Sequence, residues 1–328
     1  LFDLTPFAKF ELKGQQSHSE LQRICTANIK NEKGKTTYTQ MLNKDGGIES
    51  DLTVVCLDKN YFRIISSAAV RIRDKHHILK HLDSKVEFND VTENYACLGL
   101  FGPKSRDLIT KIAGDYFKNK DFPFGTGKEI NIKDVKLWAQ RLSYVGELGW
   151  ELYIPIKDAK KIYNIIVNVG KNYKLCHAGV HAMDILRMEK GYLHWGHDIS
   201  PEENQYEAGL NFTISYKKNV NFIGKEVLHK IRDQKPKKKL IMLSLVNSKP
   251  GFPLLLHDEP IYSNGKIIGR TTSGNYSFNY KKNIAFGYIN TGKVLETSKL
   301  EIEVEKIKYR VIVENRSLHD PYSKVMKS

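Results

Sequence analysis

Carboxylates set on strands are the first sign of chemistry in this sequence. The stretch Ser143-Tyr144-Val145-Gly146-Glu147-Leu148-Gly149-Trp150-Glu151-Leu152-Tyr153 flanks a Gly-x-x-Gly turn with apolar residues and reads as a tight hairpin. In its second strand the period of two sets Trp150 and Leu152 on one face and Gly149, Glu151 and Tyr153 on the other. Glu151 thus points away from the bulky apolar pair. A carboxylate so placed can accept two parallel hydrogen bonds from a ligand with adjacent N–H groups. The plainer reading is that Glu147 and Glu151 are both solvated turn residues.

A further carboxylate lies inside a strand. Thr36 to Leu42 and Ile48 to Leu57 are strand-like and joined by Asn43-Lys44-Asp45-Gly46-Gly47, which makes a hairpin with a five-residue turn. Along its second strand Ile48, Ser50, Leu52, Val54 and Cys56 share one face, and Glu49, Asp51, Thr53, Val55 and Leu57 share the other. A strand-interior Asp is disfavoured by propensity and costly to bury. Asp51 is therefore either at an exposed edge or placed for a purpose. His194 and His197, in the irregular segment Tyr192 to Ile199, have ligand-type side chains, but no helix supports their spacing and no third ligand is evident. Local hydrogen bonding is the better account of them.

The elements that must position these groups follow an α+β order. Ser17-His18-Ser19-Glu20 has the form of a capping box, with a short helix from about Ser19 to Ala27. Tyr61 to Ile65 is a strand, and Ser66 or Ser67 caps a helix whose stripe is Ile72, Leu79 and Leu82. Val91 to Leu100 reads as a buried strand, Pro103 opens a helix that Gly114 ends, and Asp134 to Tyr144 leads into the Gly-x-x-Gly hairpin. Helices follow from Lys157-Asp158 to Gly170, from Gly179 to Lys190, and from Asn221 to Arg232. The charged, Pro-containing run Asp233 to Lys239 marks a boundary between residues 1–235 and 236–328. Beyond it come only short strands and turns, among them Asn264-Gly265, as in a small barrel or sandwich.

Composition narrows the partners. The 328 residues suit two or three domains, with ordinary hydrophobic (41%) and charged (27%) fractions. No apolar run is long enough to span a bilayer, and the sequence opens at Leu1-Phe2-Asp3-Leu4 without Met and without the pattern of a signal peptide, so the chain reads as processed or trimmed, non-membrane and cytoplasmic, or of the mitochondrial matrix if eukaryotic. Cys25, Cys56, Cys97 and Cys176 are scattered in apolar sequence and read as buried free thiols rather than a disulfide framework or zinc site. A net charge of +15 invites nucleic acid, yet the lysines are dispersed and no arginine-rich or aromatic-interleaved module appears. A small polyanionic ligand accounts for the charge as well.

Four ordered motifs, Gly46 to Val54, Tyr144 to Leu152, Asp184 to Gly191 and Trp195 to Ile199, resemble the aminomethyltransferase family of the glycine cleavage T-protein. Within it they look most like the folate-binding C-terminal portion of dimethylglycine and sarcosine dehydrogenases. The resemblance runs from about Leu4 to the C-terminus. It implies a three-lobed fold, two interleaved α+β lobes followed by a small C-terminal β-barrel, and a tetrahydrofolate-dependent one-carbon transfer from an imine or formaldehyde. By position, Asp51 matches the catalytic aspartate, Glu151 the glutamate that holds the pterin, and Tyr144 an aromatic that lines the folate pocket. Two positions expected around the cofactor depart from the T-protein pattern: Arg63 stands where many members have tyrosine, twelve residues after the aspartate, and Met183 where they have arginine. These departures count against the glycine-cleavage reaction, and the Gly146 to Glu151 and Trp195 to Asp198 motifs point instead to the demethylating relatives, in which a flavin domain precedes the folate domain. No dinucleotide fingerprint occurs here, so a flavin-dependent dehydrogenase domain or subunit is the expected partner. The alternatives are a glycine cleavage T-protein acting on an aminomethyl-lipoyl carrier, and a folate-binding assembly factor without one-carbon chemistry.

Overall fold

The chain begins in one sheet, leaves it to build a second, and then returns to complete the first. The computed structural model describes residues 1–292 and 299–328. Through residue 237 the elements are β1 (Phe2–Asp3), β2 (Ala8–Lys13), α1 (Ser17–Ile24), β3 (Thr36–Leu42), β4 (Ile48–Asp58), β5 (Tyr61–Ser66), α2 (Arg71–His81), β6 (Glu87–Asp90), β7 (Tyr95–Phe101), α3 (Ser105–Ala113), β8 (Gly127–Ile132), β9 (Val135–Gln140), β10 (Gly149–Pro155), α4 (Ala159–Gly170), α5 (Val180–Lys190) and α6 (Lys225–Ile231). One sheet has the order β1-β7-β10-β9-β8, the other β3-β4-β5-β2-β6. The two lobes are thus interleaved in sequence.

Each sheet buries its outer face under helices and turns its inner face toward the other sheet. Trp150, Leu152 and Ile154 of β10 pack with Leu108 and Ile109 of α3 and Ile162 and Ile166 of α4. Leu52, Val54 and Cys56 of β4 pack with Leu21 and Ile24 of α1 and Ile78 of α2. Between the sheets, Val55 and Leu57 of β4 meet Cys97, Trp138 and Tyr153 in a shared apolar wall. The alternation read from the sequence on β4 and β10 is the observed one, so Asp51 and Glu151 both belong to inner faces.

A closed six-stranded barrel follows, with β11 (Lys238–Leu245), β12 (Pro260–Ser263), β13 (Lys266–Ser277), β14 (Lys282–Asn290), β15 (Leu300–Val304) and β16 (Ile307–Glu314) in the order β11-β14-β13-β12-β15-β16. Asn264 and Gly265 both have positive φ (48° and 79°), the conformation required by a two-residue hairpin turn. A one-turn helix α7 (Lys324–Lys327) ends the described chain. The fold is the three-lobed α+β arrangement expected, closed by its barrel.

Five local expectations are corrected. The Gly-x-x-Gly stretch is not a tight hairpin: β9 stops at Gln140, β10 starts at Gly149, and residues 141–148 form the connection. The backbone N–H of Arg141 carries the β8–β9 register one pair further, donating to Thr126 (2.8 Å), but its carbonyl accepts from Gly125 (3.0 Å) instead of Thr126, and the ladder ends there. Gly146, at φ 77°, then turns the connection back. The Ser17/Glu20 capping box does not form, since Ser17 lies inside α1 and its hydroxyl donates to the carbonyls of Gly14 (2.7 Å) and Asn60 (2.9 Å). The helix ends at Ile24 because the N–H of Thr26 is taken by the carbonyl of Gln40 (2.9 Å). On α2 the inward residues are Asp74 and Ile78 at i, i+4, whereas Ile72 is 76% exposed. The Ser50 hydroxyl, donating to Asp74 at 2.7 Å, sets that rotation. Finally, Cys25, Cys56 and Cys97 are buried free thiols, but Cys176 is exposed.

Candidate active site

Asp51 projects from β4 directly opposite Gln40 of β3, in the register that pairs the two residues across the antiparallel ladder. Directly opposed residues share a face, so the Gln40 amide is within reach. Its Nε2 donates to Asp51 Oδ1 at 2.7 Å. Burial pushes the Asp51 carboxyl up, donation from Gln40 and Tyr38 draws it back, and the charge of Asp74 adds to the rise, with a result of about 6. Tyr38, two residues before Gln40, faces the same carboxylate. Burial and the Asp51 charge together push its phenol well above the ordinary range. Tyr38 is 39% exposed and pairs with the 74% exposed Phe212, ring centroids 6.5 Å apart, so these two aromatics form a rim beside Asp51.

Tyr144 lies in the connection 141–148, close enough for the charges of Arg187, Asp198, Asp51 and Asp184 to act on its phenol, which burial chiefly raises. Its hydroxyl donates to the Leu193 carbonyl at 2.9 Å, and its ring stacks on Tyr192 at 6.2 Å. The structure therefore brings Asp51 and Tyr144 together.

Glu151, Arg63 and Met183 form a second group on the shared wall, joined through Tyr153. The Tyr153 hydroxyl donates to Glu151 Oε2 at 2.6 Å. Burial raises the Glu151 carboxyl and this bond lowers it, the net direction being up. Among the described residues no cation pairs with Glu151, in contrast to Glu11, which Arg63 engages on the same wall. Arg63 is 4% exposed, with its guanidinium 4.3 Å from the Tyr95 ring centroid and 5.5 Å from that of Tyr153. Its Nε (3.0 Å) and Nη2 (2.5 Å) donate to Glu11, while Nη1 has no hydrogen-bond partner among the described residues. Met183 packs into the same apolar wall from α5. Glu147 departs from the solvated-turn expectation, lying 3.0 Å from His319 Nε2 and only partly exposed.

Sequence reasoning missed how α5 and the segment after it are used. The charged members of Asp184 to Gly191 are a clasp onto the barrel. Arg187, 1% exposed, bonds Asp184 (2.9 Å), Asp198 and Ser273 (2.8 Å). Asp198, fully buried, also accepts from Thr272 (2.6 Å) and Ser273 (2.8 Å) of β13. Glu189 accepts from Ser277 (2.6 Å) and Asn279 (2.8 Å), and Lys190 donates to the Asp320 carbonyl (2.5 Å). A signal was present, since four charges within seven residues of a helix that also bears Ile185, Leu186 and Met188 cannot all be solvated on one outer face. The rings of His194 and His197 lie 4.6 Å apart, tilted at 41°, and no metal-binding group of His, Cys, Asp or Glu occurs among the described residues.

The two inner-face carboxylates are both raised by burial, and they stand at different depths relative to the shared apolar wall. Asp51 stands two same-face steps from Val55, about 13 Å along the strand, whereas Glu151 is one step from Tyr153. A ligand held between them would meet a proton acceptor at one end and a hydrogen-bond acceptor at the other.

Comparison with known proteins places this arrangement. Residues 1–218 match the model for the GCVT N-terminal domain, and residues 238–320 that for the glycine cleavage T-protein C-terminal barrel domain. The chain is 34% identical over 322 residues to the 4-methylaminobutanoate oxidase (formaldehyde-forming) of Paenarthrobacter nicotinovorans, covering 98% of this chain and 39% of that protein. It is 31% identical to the mitochondrial dimethylglycine dehydrogenase of Homo sapiens, over 95% of this chain and 36% of that one. The chain thus spans under two fifths of the length of these relatives. Against the aminomethyltransferase of Halothermothrix orenii the identity is 32%, over 93% of this chain and 84% of that protein. The crystal structure of the glycine cleavage system aminomethyltransferase T from Bartonella henselae superposes with a TM-score of 0.86 at 20% identity, covering 98% of this chain and 86% of that one. Both domain matches, their order along the chain and the shared fold agree, and the protein belongs to the glycine cleavage T-protein, or aminomethyltransferase, family.

Proposed function

We propose that this protein is a folate-dependent one-carbon transferase that accepts an imine or formaldehyde derived from an N-methyl amine and forms 5,10-methylenetetrahydrofolate. The observation that carries the reading is Glu151, a carboxylate raised by burial, held by one tyrosine hydroxyl and paired with no cation among the described residues. Such a group is completed by a ligand that brings its own N–H donors. A pterin edge does so with a ring N–H beside an exocyclic amino group, and Arg63 Nη1 and the Tyr144 ring are further groups that would line the same ligand, with Met183 at its apolar side. Tetrahydrofolate, when bound, supplies the nucleophilic amines that take up the one-carbon unit. Asp51 then serves as the general base, accepting a proton as the methylene bridge closes, and its carboxylate favours nearby positive charge. Its value of about 6 leaves it mostly ionised at neutral pH yet still basic enough to take a proton.

The relatives named as a formaldehyde-forming oxidase and a dimethylglycine dehydrogenase favour a donor released by a flavin-dependent domain or subunit. On this reading residues 1–235 bind the folate and 236–328 form the barrel that the α5 clasp holds against them. A second reading, transfer from an aminomethyl-lipoyl carrier, draws on the aminomethyltransferase matched over most of its length. The test is direct: purified protein, tetrahydrofolate and formaldehyde are mixed, and methylenetetrahydrofolate formation is compared with the uncatalysed rate. Acceleration lost in Asp51→Asn supports the proposal, and no acceleration with formaldehyde but turnover with a loaded lipoyl carrier selects the second reading.

A further inference from the structure

Behind Asp51 lies a buried polar relay that no motif in the sequence marks. Gln40 is fully buried. A free glutamine amide has two nearly equivalent orientations, and only its neighbours decide which end faces a carboxylate. Here the decision is made by two neighbours. Gln205 Nε2 donates to Gln40 Oε1 at 2.7 Å, and Thr213 Oγ1 stands 2.6 Å from the same oxygen, its single hydrogen shared with the Leu210 carbonyl (2.6 Å), an arrangement that directs Nε2 at Asp51. Gln205 is itself fully buried and tied to Thr26 Oγ1 at 3.1 Å. These partners come from the stretch after Ile199 and from the turn after α1, so three parts of the chain converge on one amide.

We propose that Gln40 is the positioning residue for Asp51: its amide, oriented by Gln205 and Thr213, fixes the carboxylate at the inner face and keeps it ionised for proton transfer. The inference rests on the reading of Asp51 as the base and goes beyond it by naming what prepares that base. The relay is suited to the task because a neutral donor stabilises the carboxylate without neutralising it, whereas a lysine or arginine would hold its proton affinity too low to act. The other titratable groups near Asp51 do not do this. Tyr38, from β3, is an additional donor whose ring is at the solvent-facing rim. Asp74, from α2, opposes ionisation, and Tyr144, from the connection, is a phenol that the Asp51 charge disfavours from ionising. Glu49, on the same face of β4, is engaged by Arg73.

The experiment uses the full chain with two substitutions. Gln40→Met removes the donor at similar volume. Gln40→Glu keeps an acceptor for Gln205 and Thr213, which preserves the relay's outer half, but sets a second carboxyl against Asp51. Asp51 is titrated in the folate-free protein by the ¹³C shift of its carboxyl carbon, assigned by its loss in Asp51→Asn, and the pH dependence of methylene transfer is measured beside it. Loss of one charge-assisted hydrogen bond corresponds to a rise in the titration midpoint of about one to two pH units in Gln40→Met, and at least as much in Gln40→Glu. The acidic limb of the rate profile is expected to move by the same amount. A midpoint that stays within a few tenths of a pH unit of the parent in both folded variants overturns the inference. Asp51→Asn separates the two layers: an unimpaired transfer rate in that variant overturns the role of Asp51 in catalysis, and with it the part Gln40 plays there, whatever the titration gives.

Discussion

Glu151 and Tyr153 stand one same-face step apart on β10, and the tyrosine hydroxyl donates to the glutamate at 2.6 Å. The bond fills one lone pair of Glu151 Oε2, and Oε1 has no hydrogen-bond partner among the described residues. Replacing Glu151 with alanine is expected to weaken folate binding by about 1.5–3 kcal/mol for each charge-assisted bond lost. Tyr153→Phe should weaken it less, because the carboxylate remains. Titration calorimetry with tetrahydrofolate checks the order, and equal affinities for all three proteins would remove Glu151 from the binding site.

The rate of transfer should depend on Asp51 ionisation. With the carboxyl at about 6, the active fraction falls roughly tenfold for each pH unit below that value. A pH profile of the formaldehyde-dependent reaction measures this limb. Asp51→Asn should lose about 10² to 10⁴-fold in rate while retaining folate affinity, the range general-base assistance commonly supplies.

The same substitution should stabilise the fold at alkaline pH. The folded value of about 6 lies above the ordinary 3.8, so ionisation costs the folded chain more than the unfolded one. The stability that Asp51 contributes while protonated is fully present below about pH 4 and is lost as pH rises through the folded value near 6. Asparagine avoids that loss. Asp51→Asn is expected to exceed the parent by up to about 3 kcal/mol above pH 7 and to match it at acid pH. Urea unfolding at pH 8 and pH 4 reads the difference.

Arg187 and Asp198 form a buried pair at the junction of α5 and the barrel. Arg187→Met would leave the Asp198 carboxylate buried with only hydroxyl and backbone donors, a loss on the order of 3–5 kcal/mol. Thermal unfolding should show it, and the variant's barrel should become more accessible to limited proteolysis around residues 233–239.

The surplus of positive charge gives one more expectation. Folates with several glutamyl residues carry a polyanionic tail, so tetraglutamyl folate should bind more tightly than the monoglutamyl form at low salt, with the advantage shrinking as salt rises. Equal binding at low salt would assign the lysines elsewhere.

Much of this architecture was legible from alternation and turn chemistry. The inner-face placement of Asp51 and Glu151 follows from period two, because Leu52 and Val54 on one strand and Trp150 and Leu152 on the other had to face a core. The barrel followed from its spaced short strands and the Asn264-Gly265 turn. The connection carrying Tyr144 was not legible, since its shape depends on the Arg141 carbonyl accepting from Gly125, a partner from another loop. Nor was the α5 clasp. Asp184, Arg187, Glu189 and Lys190 are too spread around the helix to share one solvated face, but the groups they meet are defined only once the barrel is placed over them. Gln40 was silent for the same reason: an isolated strand glutamine acquires meaning only from the residues that fix its amide.

The apolar wall between the lobes governs how ligand reaches the two carboxylates. Parting the sheets would hydrate Val55, Leu57, Cys97, Trp138 and Tyr153 together. At about 1.5–3 kcal/mol for a fully buried large side chain, that cost approaches the whole stability of an ordinary domain. The lobes are therefore expected to stay together, with Tyr38 and Phe212 marking the edge beside Asp51 that lies open to solvent. If ligand reaches Asp51 past these two rings, bulk added at Phe212 should slow its exchange while leaving the fold intact.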